Sequence, residues 1–129
     1  MNTPVCDYLI VGGGTAGCVL ANRLSADPSC RVILLEAGGP DDDKWIHIPA
    51  GIRYLLREKK HNWFYMTEPS PLTNGRSVYW PRGKVLGGSS SINGMVYIRG
   101  QRTDFDRWAA SGATGWDWDS LFPYFLKIE

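Results

Sequence analysis

The sequence predicts an α/β fold built around a parallel sheet, and three adjoining stretches carry that prediction. "DYLIVGGG" is an apolar run that stops at glycine, "TAGCVLANRLS" spaces its apolar residues for a helix, and "RVILLEAGG" is a second apolar run that ends in a glycine turn. A short, continuous apolar run suits a strand covered on both faces, as parallel strands are. Strand, helix and strand within residues 5–37 make a βαβ unit, whose crossover is right-handed.

The helix is expected over Thr15 to Ser25, where Ala16, Leu20 and Leu24 recur at four-residue spacing with Val19 and Ala21 beside them. "ADPS" follows, and Pro28 is its stop. From 38 to 81 the regularity fades into an irregular excursion. "GGPDDDKW" is an acidic turn, "IHIPAGIRYLL" a short helix after Pro49, and "NWFYMTEPSPLTNGRSVYWPRG" mixes aromatics with prolines. These aromatics are expected to anchor the loop by packing, a cofactor lid being the alternative. Two C-terminal helices are expected over 103–129. "TDFDRWAAS" reads as a helix capped by Thr103, with Asp106 completing a capping box, and "DWDSLFPYFLKIE" as a helix opened by Asp117 or Asp119. There are no internal repeats. The chain ends within an amphipathic pattern without a C-cap glycine, and a doubly wound sheet needs more than two strands. The expectation is therefore the opening part of a longer protein, cut before its substrate domain.

The chain has 129 residues and a formal net charge of +1, with basic residues scattered among acidic ones rather than gathered in a stripe, which excludes nucleic acid as the partner. Cys6, Cys18 and Cys30 are odd in number and contain no CxxC pair, so they read as reduced, mostly buried thiols and not as a disulfide framework or a metal site. "MNTPVCDY" has neither the basic nor the apolar region of a signal peptide, and no apolar run approaches the roughly 20 residues of a membrane span. A cytoplasmic location is expected.

"VGGGTAGCVL" fits G-x-G-x-x-G, with Gly12 for the tight turn, Gly14 for close approach of backbone to a pyrophosphate, and Gly17 for contact between helix and strand. Gly13, Thr15 and Ala16 complete the loop, and the helix that opens here points free N–H groups and its positive end at the phosphates. Glu36 follows Gly17 by 19 residues, at the end of the second strand. An acid there accepts hydrogen bonds from an adenosine ribose and repels a 2′-phosphate, which argues against NADP. Strand, loop and acid leave NAD and FAD both open.

A second glycine-rich segment makes the choice. "RGKVLGGSSSINGMVYIRGQRTDFD", residues 82 to 106, resembles the first signature of the glucose–methanol–choline (GMC) oxidoreductases through Gly83-Lys84, Leu86, Gly87-Gly88, Ser89-Ser90, Ile92-Asn93, Tyr97, Gly100 and Asp106. With "DYLIVGGGTAGCVLANRLS" and "LLEAGG" the likeness to the choline dehydrogenase and alcohol dehydrogenase branch covers essentially the whole chain. The resemblance implies a Rossmann-like FAD-binding domain. It implies cofactor contacts from Ala37, Arg82, Gly83, Val85, Leu86 and Gly88 as well as from the phosphate loop and Glu36. Ser89 and Ser90 would add hydroxyl donors, and Asn93, Gly94, Met95 and Val96 would lie by the isoalloxazine. Some members carry a histidine at the position of Ile92 that links covalently to the flavin. Isoleucine cannot form that bond, so the FAD is expected to be non-covalent.

The resemblance further implies oxidation of a primary alcohol, such as choline or an aliphatic or aromatic alcohol, with hydride passing to flavin N5. The electron acceptor would be a quinone, another acceptor or oxygen, and peripheral membrane association at the cytoplasmic face would go with the first. The base of such enzymes is a histidine in a C-terminal segment. His47 and His61 lie outside the matching motifs and read as loop histidines, so no catalytic residue is expected in this chain, and no metal. A plain NAD-binding dehydrogenase would share the βαβ unit but leaves 82–106 unexplained. An FAD-containing hydroxynitrile lyase, or a truncated and non-catalytic flavin-binding fragment, would share both glycine-rich segments.

Overall fold

Strand β1 (Tyr8–Val11), helix α1 (Thr15–Leu24) and strand β2 (Val32–Leu35) follow one another in the computed structural model, which describes residues 5–129. β1 and β2 pair in parallel, Tyr8 opposite Val32 through Val11 opposite Leu35. The ladder runs on at both ends, where the Asp7 N–H donates to the Arg31 carbonyl (2.9 Å) and the Gly12 N–H to that of Leu35 (2.7 Å). α1 stops at Leu24, and the N–H of Ser25 closes its last turn on the Ala21 carbonyl. Pro28 therefore lies beyond the helix and does not itself end it.

The strands are not covered on both faces. Tyr8, Leu9, Val11 and Leu35 are between 48% and 80% exposed. Among the described residues β1 and β2 make a two-stranded sheet, and the only buried residue of α1 is Gly17. The apolar sequence of these strands thus exceeds what the present packing buries.

Within the described residues the chain divides into two compact units, one running to Met95 and one from Val96 to Glu129. The buried core cluster of the first contains no residue of β1, α1 or β2. It consists of Leu55, Val85 and Ile92, with Trp45, Ile46 and Leu56 packed around them. α2 (Lys44–His47) is capped by Asp43, whose carboxylate accepts from the Trp45 N–H at 3.0 Å. Pro49 opens a 3-10 turn, and α3 (Ile52–Leu55) follows. The short helix expected after Pro49 is present as this 3-10 turn and α3, and the one-turn α2 lies before the proline, which has no N–H to continue a helix. β3 (Tyr65–Met66) and β4 (Tyr79–Trp80) form an antiparallel ribbon with Tyr65 opposite Trp80.

The second unit contains α4 (Arg102–Ala110) and α5 (Trp118–Lys127). Phe105 is its buried residue, ringed by Trp108, Trp118 and Phe125 with centroids 5.3 to 5.6 Å away. α4 is capped by Gln101 in a capping box with Asp104, two positions earlier than the expected Thr103 and Asp106. Asp106 instead accepts from the Trp118 N–H at 3.1 Å and faces Arg102 at 3.6 Å, which ties the start of α5 to α4. Asp117, not Asp119, caps α5. The three cysteines are free but only half-buried, less than expected of interior thiols.

Candidate functional site

The two glycine-rich segments meet backbone to backbone. The Gly87 N–H donates to the Gly13 carbonyl at 2.7 Å, Leu86 N–H to Gly39 at 2.9 Å, and Gly14 pairs with Gly87 and Gly39 with Val85 as parallel bridges. Side chains at the crossing would prevent this. A β-carbon on Gly88 would lie 2.9 Å from the Gly14 α-carbon, and one on Gly17 would lie 1.9 Å from the Gly12 carbonyl oxygen. Gly17 thus lets α1 sit against the turn after β1. A β-carbon on Gly14 would meet nothing nearer than the Gly88 α-carbon at 3.9 Å, because Gly14 faces a cleft.

The cleft has a volume of about 800 Å³. Val11, Gly12 and Gly14 line it from the first turn, and Leu35, Glu36 and Ala37 from the end of β2. Trp63 and Tyr65 form an aromatic wall, and Arg82, Gly83, Gly88 and Ser89 bring the second segment. Gly14 is also the N-cap of α1 and offers its first turn no side-chain acceptor. The first N–H groups of a helix lack intrahelical partners and carry its positive end, so an anion suits this position.

Glu36 is part of the frame as well as the lining. Its Oε2 accepts from the Gly13 N–H at 2.7 Å and its Oε1 from the Gly38 N–H at 2.9 Å. A carboxylate has about four lone-pair sites, so two remain for a ligand's hydroxyls. The Ser89 hydroxyl accepts from the Gly83 N–H at 3.1 Å, which leaves its own proton to donate at the cleft. The Ser90 hydroxyl donates inward to the Gly87 carbonyl at 2.5 Å.

Not every residue named from the sequence comes to this cleft. Val85 is fully buried in the core, and Leu86 lies against the backbone of Gly13. Gly13, Thr15, Ala16 and Gly17 shape the loop and the helix start without lining the cleft. Ser90, Asn93 and Met95 line a second cavity of about 230 Å³ with His47 and Ile52, and Gly94 lines a third. Ile92, at the position of the covalent link in some relatives, is 3% exposed and packs in the core with Leu55 and Val85. The apolar partner of this glycine-serine segment is therefore in large part the protein's own core. Met95 is left-handed (φ 56), with its N–H held by the Asn93 side chain at 2.8 Å. Val96 opens the second unit and is 76% exposed.

Sequence reasoning missed the polar hub that holds the second segment in place. His61 and Asn62 are 3% and 1% exposed. The His61 carbonyl accepts from the Lys84 N–H (2.8 Å), and the Arg82 carbonyl from the Trp63 N–H (2.9 Å). Asn62 Oδ1 accepts from the N–H groups of Phe64 and Arg82, and its Nδ2 donates to the Tyr79 hydroxyl, which donates on to the Leu56 carbonyl at 2.5 Å. His61 Nε2 lies 3.2 Å from Asp43 Oδ2, and Lys60 Nζ is the same distance from that oxygen. The Trp45 N–H, His61 and Lys60 together hold the Asp43 carboxyl down at about 2. His61 thus lies in a loop, as expected, but is buried there and braced against Asp43. A buried polar pair such as His61 and Asn62 has no periodicity to betray it in the sequence.

Just before β3 stands Phe64, whose φ of 60° is left-handed. For a bulky side chain this costs of order 1–3 kcal/mol, and it persists because the surroundings fix it. Here Asn62 grips the Phe64 N–H and the Phe64 ring packs on Tyr79 at 4.7 Å. Among the described residues no cluster of histidine, cysteine or acidic side chains is placed to hold a metal ion, and no helix is long and apolar enough to cross a membrane.

A parallel βαβ unit whose glycine turn, helix start and terminal acid face one cleft defines a dinucleotide-binding module. The chain belongs to the GMC oxidoreductase family, whose model matches residues 6–129. It is 58% identical to the alcohol dehydrogenase [acceptor] of Pseudomonas putida over 123 residues, and 51% identical to the mitochondrial choline dehydrogenase of Mus musculus over 129 residues. Each match covers 95% of this chain and 22% of the relative, so the chain spans about a fifth of their length. The crystal structure of pyridoxine 4-oxidase from Mesorbium loti superposes with a TM-score of 0.83 at 46% identity, over 94% of this chain and 24% of that one.

Proposed function

We propose that this chain supplies the nucleotide-binding part of an FAD-dependent oxidoreductase that acts on the CH–OH group of a primary alcohol, choline or an aliphatic or aromatic alcohol. The observation that carries the reading is the crossing of Gly14 and Gly88, two backbones that touch at the floor of a cleft large enough for a dinucleotide and open above Gly14. The fit to FAD follows from the chain's own groups. The first turn of α1 and Arg82 offer donors and positive charge for a pyrophosphate, Glu36 keeps two lone-pair sites for ribose hydroxyls, and Ser89 keeps a free hydroxyl proton. Asn93, Gly94 and Met95 border the neighbouring cavities, where the ring end would lie. When bound, FAD supplies an acceptor for the alcohol's hydride. This chain's residues bind and orient the cofactor.

The base that takes the hydroxyl proton is assigned to no residue here. His61 is committed to Asp43, and His47 Nε2 is held by the Asp41 carbonyl at 2.6 Å. Ile92 has no nucleophile for the flavin, so the FAD is held without a covalent bond. The electron acceptor is a quinone, another acceptor or oxygen, at the cytoplasmic face of a membrane in the first case. The full-length protein should purify yellow, with the absorption of oxidised flavin, and the colour should bleach anaerobically with choline or a simple primary alcohol. A colourless protein that takes up no FAD would refute the cofactor reading. A yellow protein that no alcohol bleaches would refute the reaction and favour a flavin-containing lyase.

A further inference from the structure

We propose that Cys6 and Cys30 are a redox-sensitive pair that closes into a disulfide across the start of the parallel sheet. The strand register places them. Tyr8 stands opposite Val32, and the pairing advances one for one along both strands. Two residues back on either side are Cys6 and Cys30. The residues between are tied twice: the Asp7 N–H donates to the Arg31 carbonyl at 2.9 Å, and the Asp7 carboxylate accepts from the Arg31 N–H at 2.8 Å. The cysteines therefore flank a clamped pair of neighbours, and both are free and half-buried. Paired strands lie about 4.7–4.9 Å apart, and a disulfide joins α-carbons about 4.4–6.8 Å apart, so opposed residues are within bridging range. Residues two apart along an extended chain share a face, and Tyr8 and Val32 are direct partners.

The third cysteine is held elsewhere. Cys18 Sγ donates to the Gly13 carbonyl at 3.2 Å, beyond the other end of β1. An unfolded chain favours the other bonds, because 6 to 18 and 18 to 30 close loops half as long as 6 to 30 and closure costs more as a loop grows. Only the native register favours Cys6 with Cys30. Burial and the carboxylates of Asp7 and Asp27 push the Cys30 thiol up and make it the poorer nucleophile, so oxidation starts at Cys6. With hydrogen peroxide as the oxidant, the Cys6 sulfur attacks a peroxide oxygen, the O–O bond breaks, and a sulfenic acid and water form. The Cys30 sulfur then attacks the Cys6 sulfur, the S–O bond breaks, and the oxygen leaves as water with the Cys30 proton. Two thiols lose two electrons and two protons, and peroxide becomes two waters. The bond lies at the N-terminal ends of β1 and β2, whereas Val11 and Leu35 line the cleft from their C-terminal ends, so it closes without filling the cleft. It encloses the phosphate loop and α1 in one covalent ring that only reduction opens.

The test exposes the native full-length protein to hydrogen peroxide, blocks the remaining thiols with N-ethylmaleimide, and digests with trypsin without reductant. The peptide 24–31, which holds Cys30, should be joined to the peptide that ends at Arg23, at a mass two hydrogens below their sum. Fragmentation should place the bond at Cys6. Dithiothreitol should release both peptides, Cys6→Ser should lose the bond, and Cys18→Ser should keep it. The urea-unfolded protein, oxidised in the same way, should give chiefly the two shorter loops. Complete N-ethylmaleimide labelling of Cys6 and Cys30 after peroxide, a bond through Cys18 instead, or one and the same mixture from native and unfolded protein would overturn the proposal. If Cys6→Ser does not fold, the wild-type peptide map decides alone.

Discussion

Alanine placed at Gly14 or at Gly17 tests the phosphate loop with one methyl group and opposite expectations. At Gly17 the methyl would sit 1.9 Å from the Gly12 carbonyl oxygen and 3.1 Å from its carbon, both backbone atoms that cannot swing aside. α1 must shift off β1, at a cost at or above the upper end of the roughly 1–3 kcal/mol typical of overpacking. At Gly14 the methyl meets only the Gly88 α-carbon at 3.9 Å, and the backbone (φ −79, ψ −169) suits any residue. Reduced freedom of the unfolded chain favours alanine there by about 0.4–1 kcal/mol, and its poor fit as an N-cap offsets a similar amount. Apoprotein stability should therefore stay within about 1 kcal/mol of wild type. The methyl does, however, occupy cleft space that the pyrophosphate needs, and overpacking of about 1–3 kcal/mol weakens FAD by roughly 5- to 150-fold. Thermal unfolding of the apoproteins and flavin titration measure the two effects separately. Gly17→Ala should unfold several degrees lower, and Gly14→Ala should melt normally and bind poorly. If Gly14→Ala binds FAD as wild type does, or is destabilised as much as Gly17→Ala, the roles assigned to these glycines are wrong.

Glu36→Gln keeps one acceptor but presents an amide N–H₂ to a backbone N–H, so one of Gly13 and Gly38 loses its partner. The variant should be destabilised by about 1–3 kcal/mol even without cofactor, and an apoprotein of wild-type stability in a denaturant titration would limit Glu36 to ligand contact. Ile92→Ala removes a buried side chain from the core with Leu55 and Val85 and should cost about 2–5 kcal/mol in the same assay; a cost below about 1 kcal/mol would contradict its place there. Acid precipitation of the wild type should leave all flavin in the supernatant, and flavin pelleting with the protein would disprove non-covalent attachment. The Asp43 carboxyl sits at about 2 in the folded chain, below the roughly 3.9 of an unfolded one, so the native state binds fewer protons. Its contribution is complete above about pH 4 and disappears as pH falls toward about 2. Asp43→Asn should accordingly show a flatter fall in stability over that window, and identical pH profiles would remove Asp43 from the polar hub around His61.

The legible parts of this chain were those with a repeating or punctuated pattern. β1, α1 and β2 were readable because apolar runs and four-residue spacing are local properties, and the glycine turn because the left-handed φ of Gly12 and the close approach of Gly17 to the Gly12 carbonyl both call for glycine. Burial was not legible. The same apolar runs that fix strand identity also suggest two covered faces, although Val11 is 80% exposed here, because coverage depends on neighbours beyond the strand itself. The helix cap at Gln101 was misplaced for a related reason. Thr103 and Asp106 are good capping residues by type, but tertiary demand drew Asp106 to the start of α5 instead.

The segment 82–95 shows most clearly how a family signature mixes two kinds of necessity. Read as sequence, its residues form one set of cofactor contacts. In the fold Val85 and Ile92 point into the core, Gly83 and Gly88 let two backbones cross, and Ser89 alone combines a free hydroxyl proton with a place at the main cleft. Three-dimensional support comes from outside the segment, through the buried His61–Asn62 pair and Asp43. A ligand site made of backbone can be positioned only by whatever grips that backbone. Substitutions at Asn62 should thus loosen the cleft as effectively as substitutions within it, although Asn62 does not line it.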